Sequence, residues 1–332
     1  MTPVPETTHS DRDAQMTDHN RVVIIGAGHV GATAAYALML RALVREIVLI
    51  DSDPALAEAE AADLSDANAL ARPGHIWAGT YADAASATIA VITAGAASHG
   101  AESRLSLADR SAEIVSTCVA QLVEAGFAGI ILVAANPVDL MTLVALRRSG
   151  FPAARVIGTG TLLDSSRLKQ TLAGRFRIAP EAIEGLVLGE HGDSEVATFS
   201  TVRIGGLTLE QFCAGGAEID LVHVGRDVRD AGYKIVEGKG YTSFGVTTAI
   251  VRICEAILRD ERTVLPVSTL LDGQYDISGV CLSLPCVLGG GGVERILMPV
   301  LEAREAEDLA ASAAALSLAI QTTLSDYATD VP

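Results

Sequence analysis

The chain has 332 residues, 49% of them hydrophobic and 20% charged, the balance of a globular protein rather than a disordered one. Mean hydropathy is positive, yet no uninterrupted apolar run approaches the roughly 20 residues that a spanning helix needs, so no membrane role is expected. A formal net charge of −17 repels phosphate backbones and anionic lipid, which argues against nucleic acid as a partner and means that any anionic substrate needs local arginines. Residues 1–20 are polar, carry Pro3 and Pro5 and lack an apolar core. They read as a disordered leader rather than a secretory signal, and a cytoplasmic location is expected. The five cysteines are widely spread, without metal-ligand spacing, and are expected as buried free thiols; no metal site is expected.

Arg21–Ile25 is a short apolar strand, followed at once by Gly26-Ala27-Gly28-His29-Val30-Gly31 and an Ala-rich helix to about Leu43. Glu46–Ile50 reads as a second strand ending in Asp51. Pro54 suits a helix start, and helical periodicity continues over Leu56–Leu70. Strands follow at about His75–Ala78, Ile89–Thr93 and Ile130–Ala134, with a long helix from about Arg104 to Ala125 before the last. A helix over about Val138–Arg148 and a strand at Arg155–Ile157 close the first half. Strands alternating with helices imply a parallel sheet wound on both faces, hence an α/β class.

The second half reads as α+β. It has a helix near Leu162–Gly174 and strand residues near Leu186–Gly189. Two helices between Asp220 and Leu258 are broken near Gly238–Gly240. Strands over Thr263–Asp272 and Val280–Leu288 are joined by a Gly-containing turn, and a terminal helix covers about Ala303–Ala328. The division expected is 21–158 for a nucleotide-binding unit and 159–330 for a substrate unit.

The glycine motif gains weight from its context. It follows a strand, opens a helix, and has an acid at the tip of the next strand, about 20 residues after Gly31. Gly26 permits a tight turn, Gly28 lets backbone approach a pyrophosphate, and Gly31 allows close helix–sheet contact. Free N–H groups at the helix start meet the anion. Asp51 accepts hydrogen bonds from ribose hydroxyls and repels a 2′-phosphate, which favours NAD over NADP. Val30, Ala94, Gly95 and Asn136 complete the expected cofactor site, on a Rossmann-type doubly wound sheet followed by an α+β substrate domain.

Four segments call for a joint explanation: Glu102-Ser103-Arg104, Asn136-Pro137-Val138-Asp139, Asp164-Ser165-Ser166-Arg167 and Gly189-Glu190-His191-Gly192-Asp193. Hydride transfer to a 2-oxo acid requires that the carboxylate be held, the ketone oxygen polarised and a proton delivered. Arg167 can grip a carboxylate in a bidentate fork. Asp164 lies one helical turn earlier and can share its face. His191, in a glycine-flanked turn after a strand, suits proton transfer, with Asp164 orienting the ring and favouring imidazolium. Arg104, on a Gly/Ala/Ser segment, can swing over the substrate and stabilise charge developing on oxygen. Singly, His191 reads as a turn histidine and Asp164/Arg167 as a surface pair; beside a dinucleotide motif the joint reading prevails.

The runs VVIIGAGHVG, EIVLIDSD, ANPVD, VIGTGTLLDSSR, LGEHGDS and GKGYTSFGV, in order and at matching spacing, resemble the lactate/malate dehydrogenase family over about residues 21–328. The resemblance implies His191 as proton donor and acceptor, Asp164 as its partner, Arg167 as carboxylate anchor and Arg104 as loop arginine. It further implies Asn136 near the nicotinamide ribose and substrate, Thr242 lining the pocket, and a homo-oligomer, tetramer or dimer. In that family the residue six places before the loop arginine selects substrate, glutamine for lactate and arginine for malate. Here it is Ser98, which leaves an oxaloacetate carboxylate unpartnered and makes room for a longer apolar side chain. The runs are most similar to the L-lactate and L-2-hydroxyisocaproate branches, implying an NAD-dependent L-2-hydroxy acid dehydrogenase acting on pyruvate or a larger apolar 2-oxo acid. Malate dehydrogenase and a catalytically silent NAD-binding scaffold or sensor are the alternatives. Gly100 and Ala101 stand where the family has proline and glycine. Lys169 and Glu184 stand where a basic residue and a histidine bind fructose 1,6-bisphosphate, so no activation by that sugar is expected.

Overall fold

The computed structural model describes residues 20–71, 74–96, 104–214 and 219–323, with the backbone alone for 104–107 and 323. The first half alternates as the periodicity predicts: β1 (Arg21–Ile25), α1 (His29–Leu40), β2 (Glu46–Ile50), α2 (Pro54–Asn68), β3 (His75–Ala78), β4 (Ile89–Ile92), α3 (Arg104–Glu124), β5 (Ile130–Val133), α4 (Val138–Ser149) and β6 (Val156–Gly158). All four residues of β4 and of β5 are buried, as strands covered on both faces must be. Helix α2 starts as its sequence suggests, with Asp53 accepting from the N–H groups of Ala55 and Leu56 and Pro54 in the first turn. Helix α1 ends three residues short of Leu43, where Ala42 adopts a positive φ of 50°.

The second half contains α5 (Leu162–Phe176), β7 (Ile183–Leu188), β8 (Val196–Ile204), β9 (Leu207–Thr208), α6 (Leu209–Cys213), α7 (Leu221–Lys239), α8 (Phe244–Leu258), β10 (Thr263–Gln274), β11 (Ile277–Gly289), β12 (Gly292–Ile296) and α9 (Ala303–Thr323). Strands β8, β9 and β12 and the short α6 are not anticipated from the sequence. In β8 the alternation is blurred by half-buried polar residues at several positions. The hairpin between β10 and β11 turns on Tyr275 and Asp276, with φ 54° and 60°, rather than on a glycine; Gly273 and Gly279 flank it.

Six parallel strands run in the order β3-β2-β1-β4-β5-β6, and the same sheet continues through antiparallel β10, β11 and β12 to make nine strands. The expected division near residue 158 therefore falls within one continuous sheet. Gly158 pairs with Ser268 at the seam. A Cβ there would lie 2.3 Å from Thr142 Oγ1 and 2.9 Å from Ser268 Cβ, so only glycine lets β6 and β10 meet over α4. Strands β7, β8 and β9 form a separate antiparallel sheet.

Apolar cores fill both faces of the large sheet, around Ile131, Met141 and Leu284 on one side and Ile24, Leu132 and Ile253 on the other. A third core beneath the small sheet joins Leu168 and Leu172 of α5 to Val187, Val202 and Val228. That core sets α5 against β7, the contact from which the site is built. Cys118, Cys254, Cys281 and Cys286 are buried and Cys213 is half-buried, all as free thiols. Among the described residues no helix is long and apolar enough to cross a membrane, and no group of three acidic, His or Cys side chains could hold a metal ion.

Candidate active site

The glycine motif lies where the strand order reverses, between the ends of β1 and β4, the place at which open α/β sheets leave a crevice. Gly26 turns the chain at φ 102°, and a Cβ on it would lie 2.6 Å from Ala94 N. A Cβ on Gly31 would lie 1.9 Å from the Gly26 carbonyl oxygen, so α1 can pack this closely only with glycine at that position. Gly28 is the opposite case, exposed and with nothing within 4 Å of an added Cβ. Helix α1 begins without a side-chain cap and without an acid in its first turn, which leaves its first N–H groups directed outward. An open cradle, outward N–H groups and a carboxylate at the tip of β2 fit a dinucleotide.

Asp51 has a second duty in the fold. Its Oδ2 accepts the Ala27 N–H at 2.6 Å and its Oδ1 the Asp53 N–H at 2.9 Å, so the acid expected to face ribose also fixes the glycine turn. The Ser52 hydroxyl also donates to Oδ1, at 3.4 Å, so Oδ2 is the oxygen with a second lone pair left for a ribose hydroxyl. Ala94 donates its N–H to the Ile25 carbonyl at 2.9 Å. Gly95 is exposed beside Ala135, and half-buried Val30 offers its carbonyl to Thr247. His29 stacks on Tyr241 with ring centroids 3.9 Å apart, and the Lys239 ammonium lies 4.4 Å from the Tyr241 ring centroid. The nucleotide loop thus touches the link between α7 and α8 that carries Thr242, a contact that residue spacing does not reveal.

Three of the expected catalytic residues come together directly. Asp164, buried in the first turn of α5, accepts from Arg167 Nη1 at 2.7 Å through Oδ1 and meets His191 Nδ1 at 2.5 Å through Oδ2. The i,i+3 spacing on one helix supplies the first contact. The second needs the turn Gly189–Asp193, which follows β7. With Nδ1 committed to the carboxylate, Nε2 is the ring atom left to face a reactant. Burial pushes the His191 pKa down, but the charge and hydrogen bond of Asp164, with the charges of Asp139 and Glu195, overcome this and lift it to about 9.

The turn itself is held from several elements. The His191 N–H donates to Asp139 Oδ2 at 2.7 Å, and the Glu190 N–H to the Ser312 hydroxyl of α9 at 2.9 Å. The Tyr233 hydroxyl of α7 donates to Asp193 at 2.6 Å, and that of Ser194 to the Glu190 carboxylate. Gly232, next to Tyr233, faces the Arg167 guanidinium, whose nearest nitrogen would be 3.6 Å from an added Cβ. Glu195 is buried, and its Oε1 has no hydrogen-bond partner among the described residues. Burial and the neighbouring Asp164 charge hold its carboxyl well above the ordinary range, against the opposing pull of His191, Arg167 and Arg229.

The other expected residues are placed less completely. Asn136 is exposed after β5, joined to Pro137 by a cis peptide bond, and Thr242 is half-buried between α7 and α8. Arg104 is the first residue of α3, with its side chain outside the described residues; Ser98, Gly100 and Ala101 lie wholly outside them. The leader assigned to residues 1–20 likewise lies outside, except for Asn20. The sequence assigns no part to Asp139, Glu195, Ser268 or Ser312. Asp139 stands in a run singled out there, but its partners are 52 and 129 residues away, and no local pattern reports them.

Comparisons with known proteins agree on one family. Residues 20–158 match the model for the lactate/malate dehydrogenase NAD binding domain, and residues 161–326 that for the lactate/malate dehydrogenase alpha/beta C-terminal domain. An L-lactate dehydrogenase of Clostridium botulinum (strain 657 / Type Ba4) is 42% identical over 301 residues, covering 89% of this chain and 94% of its own. One from Latilactobacillus sakei is 40% identical over 299 residues, covering 89% and 92%. Among solved structures, the minor L-lactate dehydrogenase of Enterococcus mundtii in its ligands-bound form superposes with a TM-score of 0.89 at 35% identity, over 91% of this chain and 98% of that one. A lactate dehydrogenase from a Medee basin deep-sea metagenome library gives 0.90 at 39% identity, over 92% and 99%.

Proposed function

The chain belongs to the lactate/malate dehydrogenase family, and from that premise we propose that its Asp164–Arg167–His191 cluster carries the interconversion of a small 2-oxo acid and its L-2-hydroxy acid. The protein is an NAD-dependent oxidoreductase of the L-lactate dehydrogenase type. The observation that carries the site assignment is the buried carboxylate of Asp164, which holds an imidazole with one oxygen and a guanidinium with the other.

Bound NADH supplies the hydride in the reductive direction. Arg167 grips the substrate carboxylate, which fixes the 2-oxo carbon in register with the imidazole. His191 donates its Nε2 proton to the ketone oxygen, while Asp164 stabilises the ring as imidazolium before transfer and holds its orientation afterwards. Arg104, at the start of α3, polarises the same oxygen, Asn136 orders the substrate side of the crevice, and Thr242 lines the pocket. In oxidation neutral His191 accepts the hydroxyl proton. The assembled cluster argues against a silent scaffold, which has no use for a buried ion pair beside an imidazole.

Ser98, lacking the positive charge that a second carboxylate needs, supports pyruvate or a larger apolar 2-oxo acid over oxaloacetate. Steady-state reduction of pyruvate, 2-oxobutyrate, 2-oxoisocaproate, phenylpyruvate and oxaloacetate tests this reading. The expected result is a preference for the monocarboxylates, and a clear preference for oxaloacetate would overturn the pocket argument. Fructose 1,6-bisphosphate is expected to leave the rate unchanged, since exposed Glu184 repels phosphate. A homo-oligomer, tetramer or dimer, is supported by the apolar side chains that α7 exposes, Val222, Tyr233, Ile235 and Val236. The five free thiols suit a reducing compartment and support a cytoplasmic location.

A further inference from the structure

We infer that His29 and Lys239, gathered on the ring of Tyr241, clip the diphosphate of the dinucleotide, so that the link between α7 and α8 supplies part of the nucleotide site. The clip rests on the NAD assignment but not on the chemistry proposed for His191. His29 is the first residue of α1, directly after Gly28, where the uncapped N–H groups face outward. Its ring lies flat on that of Tyr241, with centroids 3.9 Å apart and planes 12° from parallel. Stacking of this kind uses the ring faces and leaves the edge, with its N–H, free to meet an anion. An imidazole presents such a donor in either protonation state.

Lys239 is the last residue of α7, and Gly240, at φ 85°, turns the chain there toward Tyr241. The Lys239 ammonium is 4.4 Å from the Tyr241 ring centroid and 4.4 Å from that of Phe244. Two π faces hold it without an acid. Among the described residues no carboxylate pairs with Lys239 or with the His29 ring, although acids outnumber lysine and arginine 41 to 24 in the chain. A long, exposed lysine on so acidic a protein has carboxylates to choose from, yet its charge stays unneutralised beside the nucleotide loop. The loop has a use for it. A diphosphate approaching a protein of net charge −17 is repelled at long range. The start of α1 offsets only roughly half an elementary charge, which leaves most of the dianion uncompensated. His29 adds a donor from within the motif, and Lys239 adds a full charge from the second half of the chain. Tyr241 is the positioning residue that brings them together.

The test is displacement of bound NADH, followed by its fluorescence, with two competitors: adenosine diphosphate ribose, which carries the diphosphate, and adenosine, which lacks it. Lys239→Met keeps an apolar stem against both rings and removes the charge. His29→Phe keeps the stack and removes the N–H. At low salt Lys239→Met is expected to raise the Kd of adenosine diphosphate ribose about fivefold and His29→Phe about threefold, with that of adenosine unchanged. Sodium chloride should weaken adenosine diphosphate ribose less in Lys239→Met than in the unaltered protein, because a screened contact is gone. Lys239→Arg, which keeps the charge, should retain the affinity. A competing duty for the lysine is to complement the dipole at the α7 C-terminus. A lower Tm in Lys239→Met, with the adenosine diphosphate ribose Kd and its salt dependence in place, would make that duty its whole role and overturn the inference. So would an equal loss of adenosine binding, or failure of Lys239→Met to fold, since a charge exposed for a ligand is dispensable to folding. If the clip is seen but the unaltered protein reduces no 2-oxo acid, the proposal for His191 falls and the clip stands.

Discussion

The nucleotide cradle and the imidazole turn solve opposite problems. Around Gly28 the protein provides space, with no atom within reach of a Cβ and an uncapped helix start. Around His191 it leaves little to chance. The ring, the main chain and the flanking residues are each held by a partner from a different element: Asp164 of α5, Asp139 of α4, Tyr233 of α7 and Ser312 of α9. A ligand that is bound whole needs a surface it can complete with its own phosphates and hydroxyls. A proton donor needs its geometry fixed in advance, because the reaction cannot supply the reorganisation.

Removing the donor should separate the two regions most sharply. His191→Asn is expected to lower kcat by about a thousandfold or more while leaving the NADH Kd, measured by fluorescence titration, within about twofold. In the unaltered protein kcat/KM for the 2-oxo acid should hold steady up to about pH 9 and decline above it, because reduction consumes the Nε2 proton. Unchanged turnover in the variant would end the catalytic assignment.

A smaller effect is expected from filling the cradle. Gly31→Ala puts a methyl 1.9 Å from the Gly26 carbonyl oxygen, which should cost about 2–4 kcal/mol of stability and be visible as a lower Tm together with weakened NADH binding. Retention of both would mean that the α1 start is less constrained than its packing indicates.

The smallest change tests where the two designs overlap. Asp51→Asn keeps one acceptor for the Ala27 N–H but weakens a charged contact to ribose, so the NADH Kd should rise about tenfold with kcat nearly constant. A drop in kcat of similar size would indicate that the cradle and the turn are coupled, the His29–Tyr241 stack being the contact through which they touch.

The two regions also differ in how legible they were. The cradle is local: strand, glycine turn, helix and acid lie within 31 residues, each with a sequence signature, and their positions follow from periodicity. The turn is assembled across the chain. Asp164 and Arg167 announce their own pairing through helical spacing, but nothing in the spacing brings His191 to them, and that step came from the joint logic of the reaction and the family resemblance. Asp139 and Ser312 carry no such signature, because an acid at a helix start and a serine inside a helix have ordinary explanations. Strand β12 has no alternation to read, with Glu294 and Arg295 both exposed, and its pairing with β11 shifts register between Val287 and Leu288.

The seam where Gly158 meets Ser268 has a mechanical meaning. A nine-stranded floor from β3 to β12 carries the nucleotide loop and β10–β12 alike, while the acid-binding cluster stands beside it on α5 and on the turn that leaves β7 of the smaller sheet. Ser268, which stitches the floor with its backbone and steadies Asp139 with its hydroxyl, makes the alignment of the proton donor a property of the floor itself.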